Sequence, residues 1–128
     1  MILITGGAYQ GKSRYAKSLF PEATMTDTYP TEGMLRGENP LIWCNLETYT
    51  KEFLEKDPNP DALYASIENV IEQKKNLVLI GREIGNGVVP MEESVRFYRE
   101  NYGRLMMRLG SEAEKVVRVL CGIGMEIS

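Results

Sequence analysis

Eight residues near the start of the chain have the types and the spacing of a phosphate-binding loop. They are Gly6, Gly7, Ala8, Tyr9, Gln10, Gly11, Lys12 and Ser13. They fit the pattern G-x-x-x-x-G-K-[ST], in which successive backbone N–H groups surround an anion. The lysine of this pattern reaches the β- and γ-phosphates of a nucleotide, and the next hydroxyl binds Mg²⁺. We therefore predict that this loop binds a nucleoside triphosphate through Lys12 and its amides, with Ser13 on the metal. Arg14 follows directly and is a further candidate for a phosphate contact.

The residues on either side of this loop are those that must position it. An apolar run at 2–4 predicts a buried strand. Residues 12–20 predict a helix that Pro21 ends, with Tyr15, Ala16 and Leu19 on its inner face. A helix N-terminus adds a partial positive charge of about half a unit where the phosphates would lie. Gly6 and Gly11 allow the backbone to approach a phosphate closely. A chance glycine-rich turn is the alternative, and the flanking strand and helix argue against it.

Composition narrows the class of protein. The 128 residues are 43% hydrophobic and 26% charged, which predicts one globular domain over residues 1–128. A net charge of −3 with interspersed acids and bases argues against a nucleic-acid partner. No apolar run reaches the ~20 residues of a membrane span, and no leader pattern precedes Met1, so we expect a cytoplasmic protein. The chain has no histidine, and we expect its cysteines, Cys44 and Cys121, to be buried thiols without a disulfide.

The rest of the chain alternates between strand and helix signals. This alternation predicts an α/β fold in which helices cover both faces of a mostly parallel sheet, forming three layers. Residues 21–40 are predicted to be loop apart from one short strand at 23–25. Asp61 is the expected N-cap of the third helix. The predicted strands are 1–5, 23–25, 41–44, 77–80, 116–120 and 125–127, and the predicted helices are 12–20, 46–56, 61–75 and 92–109.

Glu83 is the main acidic candidate for catalysis. It follows the apolar strand 77–80, separated from it only by Gly81 and Arg82. This position is at the carboxyl end of the sheet, where ligands of open α/β folds bind. There it could accept the proton of an attacking hydroxyl or hold Mg²⁺ indirectly. The alternative is a solvated loop carboxylate beside Arg82. Arg104 and Arg108 are cationic candidates, with the polar face of an amphipathic helix as their alternative.

Three blocks of sequence give the chain a resemblance to a known family. The first is residues 2–14, with Gly6-Gly7-Ala8 and Gly11-Lys12-Ser13-Arg14. The second is Glu83-Ile84-Gly85-Asn86-Gly87-Val88-Val89-Pro90, and the third runs from there through Arg99, Gly103-Arg104 and Arg108-Leu109 to Cys121-Gly122-Ile123-Gly124. In these blocks, about half of its length, the chain resembles the bifunctional adenosylcobinamide kinase / adenosylcobinamide-phosphate guanylyltransferase family of cobalamin biosynthesis.

The resemblance implies more than the residues do by themselves. It implies a P-loop kinase-type fold, binding of ATP or GTP with Mg²⁺, and phosphorylation of a corrinoid hydroxyl, that of the cobinamide aminopropanol group. In such an enzyme Lys12 and Glu83 would be catalytic. It also implies a homo-oligomer, and a second activity that transfers GMP through a covalent histidine adduct. The sequence does not decide between ATP and GTP.

The chain departs from the family pattern in its middle. It is some tens of residues shorter between the phosphate-binding loop and Glu83, and it contains no histidine to carry GMP. Cys44 lies near the end of a strand, at the position where the family has an acidic residue associated with Mg²⁺. Glu47, three residues later, either replaces that acidic residue or is only a first-turn carboxylate favoured by the helix dipole. We therefore predict a kinase-like protein without guanylyltransferase activity. The alternatives are a nucleotide-binding protein without catalysis and a small kinase with a different acceptor.

Overall fold

The computed structural model describes residues 1–84 and 92–128, in which strands and helices alternate largely as predicted. The glycine-rich part of the second block, residues 85–90, lies outside these residues. The strands are β1 (Ile2–Gly6), β2 (Thr24–Thr26), β3 (Leu41–Trp43), β4 (Leu77–Arg82), β5 (Lys115–Leu120) and β6 (Ile123–Glu126). The helices are α1 (Lys12–Leu19), α2 (Glu32–Arg36), α3 (Leu46–Lys56), α4 (Pro60–Gln73) and α5 (Glu93–Glu112).

The strands form one six-stranded sheet in the order β2-β3-β4-β1-β5-β6. Every neighbouring pair is parallel except β5 with β6, which form an antiparallel hairpin. Strand β1 is flanked by β4 and β5, so the segment that follows it emerges at the centre of the sheet. The carboxyl ends of β1, β3 and β4 meet at one edge, where ligands of open α/β folds bind. The predicted α/β fold with a mostly parallel sheet is confirmed.

The sheet separates two hydrophobic cores because successive side chains of a strand point to opposite faces. Leu3 and Leu79 belong to the larger core, which α3, α4 and α5 cover and which contains the fully buried Trp43. Ile4 and Ile80 face the opposite side and pack with Ala16 of α1. Among residues 1–84 and 92–128, no helix has the length and apolar character required to cross a bilayer.

Helix α2 is an element that the sequence did not predict. It lies within residues 21–40, which read as loop apart from one short strand. Thr31 caps the helix by accepting a hydrogen bond from the Met34 amide at 3.3 Å, and only Leu35 is buried. A five-residue helix is shorter than two turns, so it shows no apolar periodicity that a sequence pattern could reveal.

Three smaller expectations were wrong. The cap of α4 is Asn59, whose Oδ1 accepts from the amides of Asp61 and Ala62, because the helix starts at Pro60 rather than after Asp61. Leu19, expected on the inner face of α1, is exposed at the last turn of the helix. Cys121 is exposed because it lies in the turn between β5 and β6, whereas Cys44 is half-buried; both thiols are free, as expected.

Candidate active site

The segment from Gly6 to Ser13, predicted as a phosphate-binding loop, connects β1 to α1. Gly11 is the N-cap of α1 in the left-handed conformation, with φ 85°, and no side chain caps the helix. The first amides of α1 therefore remain directed at the loop, as an anion-binding helix terminus requires. At Gly6 a Cβ atom would lie 2.5 Å from the carbonyl oxygen of Val119, so only glycine fits against β5 here.

Lys12 is the first residue of α1, and its side chain lies over the loop. Its Nζ donates a hydrogen bond to the carbonyl oxygen of Gly7 at 2.6 Å. Partial burial lowers the pKa of Lys12, and Arg82 lowers it further, whereas Glu47 and Glu83 act in the opposite direction. The structure therefore brings both predicted carboxylates into electrostatic range of the predicted phosphate-binding lysine, although they lie 35 and 71 positions away in the chain.

Glu47 is anchored at the start of α3. Its Oε1 accepts a hydrogen bond from the backbone amide of Arg82 at 3.0 Å, and its main-chain oxygen accepts one from the Tyr98 hydroxyl at 2.9 Å. Burial, with a smaller contribution from Glu47, raises the pKa of Tyr98 to about 12, so this phenol stays a neutral donor. Glu47 is thus more than a first-turn carboxylate, because its side chain bonds to the strand that leads to Glu83.

Glu83 follows β4 and is bonded at both its backbone and its side chain. Its amide donates to the carbonyl oxygen of Gly6 at 2.8 Å, which places it against the start of the phosphate-binding loop. Its carboxylate accepts two hydrogen bonds from Arg118, one from Nε at 2.7 Å and one from Nη2 at 3.1 Å. The Glu83 carboxylate is therefore paired with Arg118 of β5, which lies 35 positions further along the chain.

Cys44 lies at the carboxyl end of β3, as the sequence predicted. Its Sγ donates a hydrogen bond to the carbonyl oxygen of Thr26 at 3.3 Å. Burial raises its pKa, and Asp27 raises it further, so the thiol is held neutral. Asn45 then turns the chain through a left-handed conformation, with φ 62°, into α3. This turn brings Glu47, rather than Cys44, to the loop.

The arginine candidates lie in two different places in the structure. Arg108 stacks over the ring of Tyr64 at 3.3 Å from its centroid, a cation–π contact between α5 and α4. Arg104 lines a small cavity beside that pair, of about 220 Å³. Both arginines therefore lie on the α4 side of α5. Arg14 is exposed at the start of α1, next to the loop.

Two contributors to the site were missed from the sequence. Arg118 is the first, although a charged residue inside the apolar run 116–120 was a usable signal. The second is the bond between Gln10 and the β5–β6 turn: Gln10 Oε1 accepts from the Cys121 amide at 2.7 Å, and the Gly122 amide donates to the Gln10 carbonyl oxygen at 2.8 Å. The side chain and the main-chain oxygen of Gln10 thus link the loop to the β5–β6 turn.

The oxygen donors near the loop suit magnesium. Ser13, Glu47 and Glu83 supply a hydroxyl and carboxylates, and Mg²⁺ typically binds one or two such carboxylates together with substrate phosphates and water. Within residues 1–84 and 92–128 there is no group of three or more Cys, Asp or Glu side chains that could hold a metal ion. The donor set therefore fits a Mg²⁺ ion shared with a nucleotide, rather than a cage made by the protein alone.

An open cleft of about 1020 Å³ lies between α3, the end of β4 and the start of α5. Arg82 and Ile84, which flank Glu83 in the chain, form its inner wall. The apolar and aromatic part of the remaining wall is Leu54, Pro58, Val95, Phe97 and Tyr98. The charged part is Lys51, Glu55, Glu92, Glu93 and Arg99. The cleft is therefore a large space of mixed apolar and charged character, lined by the two chain neighbours of Glu83.

A sequence model of the family described as cobinamide kinase / cobinamide phosphate guanyltransferase matches residues 36–127, well over half of the chain. The chain belongs to this family. Two bifunctional adenosylcobalamin biosynthesis proteins are similar to it: that of Salmonella typhimurium is 27% identical and that of Escherichia coli 26%. Each alignment covers 99% of both proteins and has 179 positions, 51 more than the 128 residues of this chain. That excess agrees with a chain some tens of residues shorter than the family pattern.

Proposed function

We propose that the chain is a nucleoside-triphosphate-dependent kinase of cobalamin biosynthesis that phosphorylates the hydroxyl of adenosylcobinamide. The observation that carries the proposal is the convergence of Lys12, Glu47 and Glu83 at the carboxyl edge of the sheet, around a loop with phosphate-binding geometry. Family membership supplies the class of acceptor, since two relatives are adenosylcobalamin biosynthesis proteins. We assign ATP or GTP as the phosphate donor.

The proposed role of each residue follows from its position relative to the loop. Lys12 and the amides of residues 7–13 hold the β- and γ-phosphates, and Arg14 adds positive charge at the rim. Ser13 would hold Mg²⁺, with Glu47 or Glu83 as the carboxylate, and the bound ion would supply positive charge to the phosphate oxygens. Glu83 aligns the acceptor hydroxyl and takes its proton. The acceptor oxygen then bonds to the γ-phosphorus, whose bond to the bridging oxygen breaks, and the electron pair stays on the departing nucleoside diphosphate.

The cleft between α3, β4 and α5 is the proposed acceptor site. Its wall includes Arg82 and Ile84, the two chain neighbours of Glu83, which supports placing the acceptor next to that residue. Its volume of about 1020 Å³ is at the upper end of the range for small-molecule sites, as a large, partly apolar acceptor requires. This position supports transfer from the loop into the cleft.

Guanylyl transfer through a phosphohistidine-type adduct is the activity that we propose is lost. The chain contains no histidine, so no imidazole can form a phosphoramidate with GMP. Cys44 is a poor substitute because burial keeps its thiol neutral, and the thiolate is the nucleophilic form. Labelled GTP should leave no acid-labile label on the protein, and stoichiometric labelling would contradict the proposal.

The test uses the purified chain with ATP or GTP, Mg²⁺ and adenosylcobinamide, and follows the phosphorylated corrinoid by mass spectrometry. Lys12→Ala should weaken nucleotide binding about tenfold or more, equivalent to ~1.4 kcal/mol, because it removes a charge-assisted phosphate contact. Lys75→Ala is the matched control, since Lys75 is exposed just before β4, at the opposite edge of the sheet. Unchanged affinity in Lys12→Ala would show that the loop assignment is wrong.

One rival is a nucleotide-binding protein without catalysis. The neutral Cys44 at the end of β3 favours it, because a carboxylate there would add charge for Mg²⁺. Tight nucleotide binding without phosphorylation of adenosylcobinamide or of any other alcohol tested would establish this rival. Phosphorylation of another alcohol in preference to adenosylcobinamide would establish a kinase with a different acceptor.

A further inference from the structure

Arg118 and Glu83 form a bridge across the end of β1. Arg118 on β5 is in register with Thr5 of β1, and Thr5 is in register with Gly81 of β4, two residues before Glu83. Strands β4 and β5 are therefore separated by β1, a distance of about 9–10 Å between their axes. The two side chains close this gap across the end of β1, on the face of the sheet that carries Thr5. The ion pair thus lies next to the start of the phosphate-binding loop, where the Glu83 amide bonds to the Gly6 carbonyl oxygen.

The geometry of the pair is that of a two-point bond. Nε and Nη2 of Arg118 each bond to a different oxygen of Glu83, at 2.7 and 3.1 Å. Such a fork fixes both the position and the plane of a carboxylate, which a single cation such as lysine does not. The backbone amide of Glu83 is fixed separately, on the Gly6 carbonyl oxygen. A loop residue beyond the end of a strand is thereby held at three points.

This pair contributes little to folding. The side chains of Arg118 and Glu83 are 46% and 37% exposed, and solvent-exposed ion pairs typically contribute little to the free energy of unfolding. Its geometric effect is larger, because an unrestrained glutamate samples many rotamers and catalytic geometry tolerates errors of only about 0.5 Å. A bidentate arginine also occupies one lone pair on each oxygen, so each oxygen keeps a second lone pair for a hydroxyl.

We propose that Arg118 is a positioning residue, which orients the Glu83 carboxylate next to the phosphate-binding loop so that it can align the acceptor hydroxyl and take its proton. This inference rests on the proposed kinase function. Arg118 acts only through Glu83. Its removal should therefore slow turnover without weakening the binding of nucleotide, which Lys12 and the loop amides provide.

Three variants test this role. Arg118→Gln removes the charge and the fork, and should lower kcat by about 10- to 100-fold, as expected for a misplaced catalytic group, with the nucleotide KM within about twofold of wild type. Arg118→Lys keeps the charge but loses the fork, so it should recover only part of kcat. Arg36→Gln is the matched control, because Arg36 forms an exposed ion pair with Glu32 on α2, and it should leave both constants unchanged.

A double variant distinguishes a positioning role of Arg118 from an effect that does not depend on Glu83. In a Glu83→Gln background, Arg118→Gln should lower kcat by no more than about twofold, because the group that it orients is already gone. Equal additional losses in both backgrounds would overturn the inference, as would an Arg118→Gln variant with unchanged kcat or with its loss entirely in the nucleotide KM. Absence of corrinoid phosphorylation by the wild-type chain would instead overturn the proposed function, and this inference with it.

Discussion

The two cysteines illustrate how differently the fold treats residues of one type. Cys44 lies at the end of β3, where it donates to Thr26 and burial raises its pKa. Cys121 lies in the β5–β6 turn, with φ 51°, and is exposed. The sequence placed both beside apolar runs, which predicts burial for each. Only the turn geometry, which follows from the pairing of β5 with β6, distinguishes them.

This difference predicts the order of their alkylation. At pH 8, iodoacetamide should modify Cys121 at least about fivefold faster than Cys44, because the thiolate is the reactive form and access is required. A pKa raised above the ordinary thiol range means that the Cys44 rate should still increase as the pH rises above 9. Peptide mass spectrometry over time measures both rates, and the denatured chain provides the control with equal access. Equal rates in the folded chain would contradict the assigned environments.

The residues of the candidate active site were predictable in part. Lys12 and Ser13 follow from a motif whose spacing is set by phosphate geometry, and Glu83 follows from its place at the end of an apolar strand. The structure adds that Lys12, Glu47 and Glu83 lie near one another, which depends on β4 pairing with β1. Arg118 was not predicted, because its role depends on strand order, and a sequence pattern does not give strand order.

At the scale of elements, periodic segments were predictable and short ones were not. Helix α3 begins and ends at the residues expected from the spacing of Leu46, Tyr49 and Phe53. Strand β4 extends two residues further than its apolar run, to Arg82, because the backbone of Gly81 and Arg82 pairs with that of Thr5 and Gly6. Backbone pairing between strands determines where a strand ends, whereas the apolar run in the sequence marks only the buried part of the strand.

The start of α4 gives a prediction at this scale. Asn59 Oδ1 accepts from the amides of Asp61 and Ala62, so Asn59→Ala should lower the free energy of unfolding by about 1 kcal/mol. Asp61→Asn is the comparison: it removes only a first-turn charge and should cost less than about 0.5 kcal/mol. Urea denaturation monitored by circular dichroism measures both. A larger loss in the Asp61 variant would mean that the helix begins after Asp61.

At the scale of the whole molecule, the two ends of the chain meet at the candidate active site. Residues 10 and 121 are separated by 111 positions, yet Gln10 holds both amides of the Cys121–Gly122 turn. Tyr15 of α1 also packs on this hairpin, where a Cβ on Gly124 would lie 2.2 Å from its ring. The first and third sequence blocks that resemble the family are therefore in direct contact. This contact explains why a phosphate-binding loop and a C-terminal glycine turn occur together in one pattern.

The contact between Gln10 and the β5–β6 turn predicts that a substitution at Gln10 changes the local stability of that turn, near the other end of the chain. Gln10→Ala should speed hydrogen exchange of the Cys121 amide by about tenfold, because a hydrogen bond to a side chain is lost and exposed turns open with little cost. The Gly122 amide should change less, since it donates to the Gln10 main-chain oxygen, which the substitution retains. Amide exchange followed by NMR resolves the two positions. Gln73→Ala, at the exposed end of α4, is the matched control and should leave both amides unchanged. An unaltered Cys121 rate in Gln10→Ala would mean that the loop and the C-terminal hairpin are held together by other contacts.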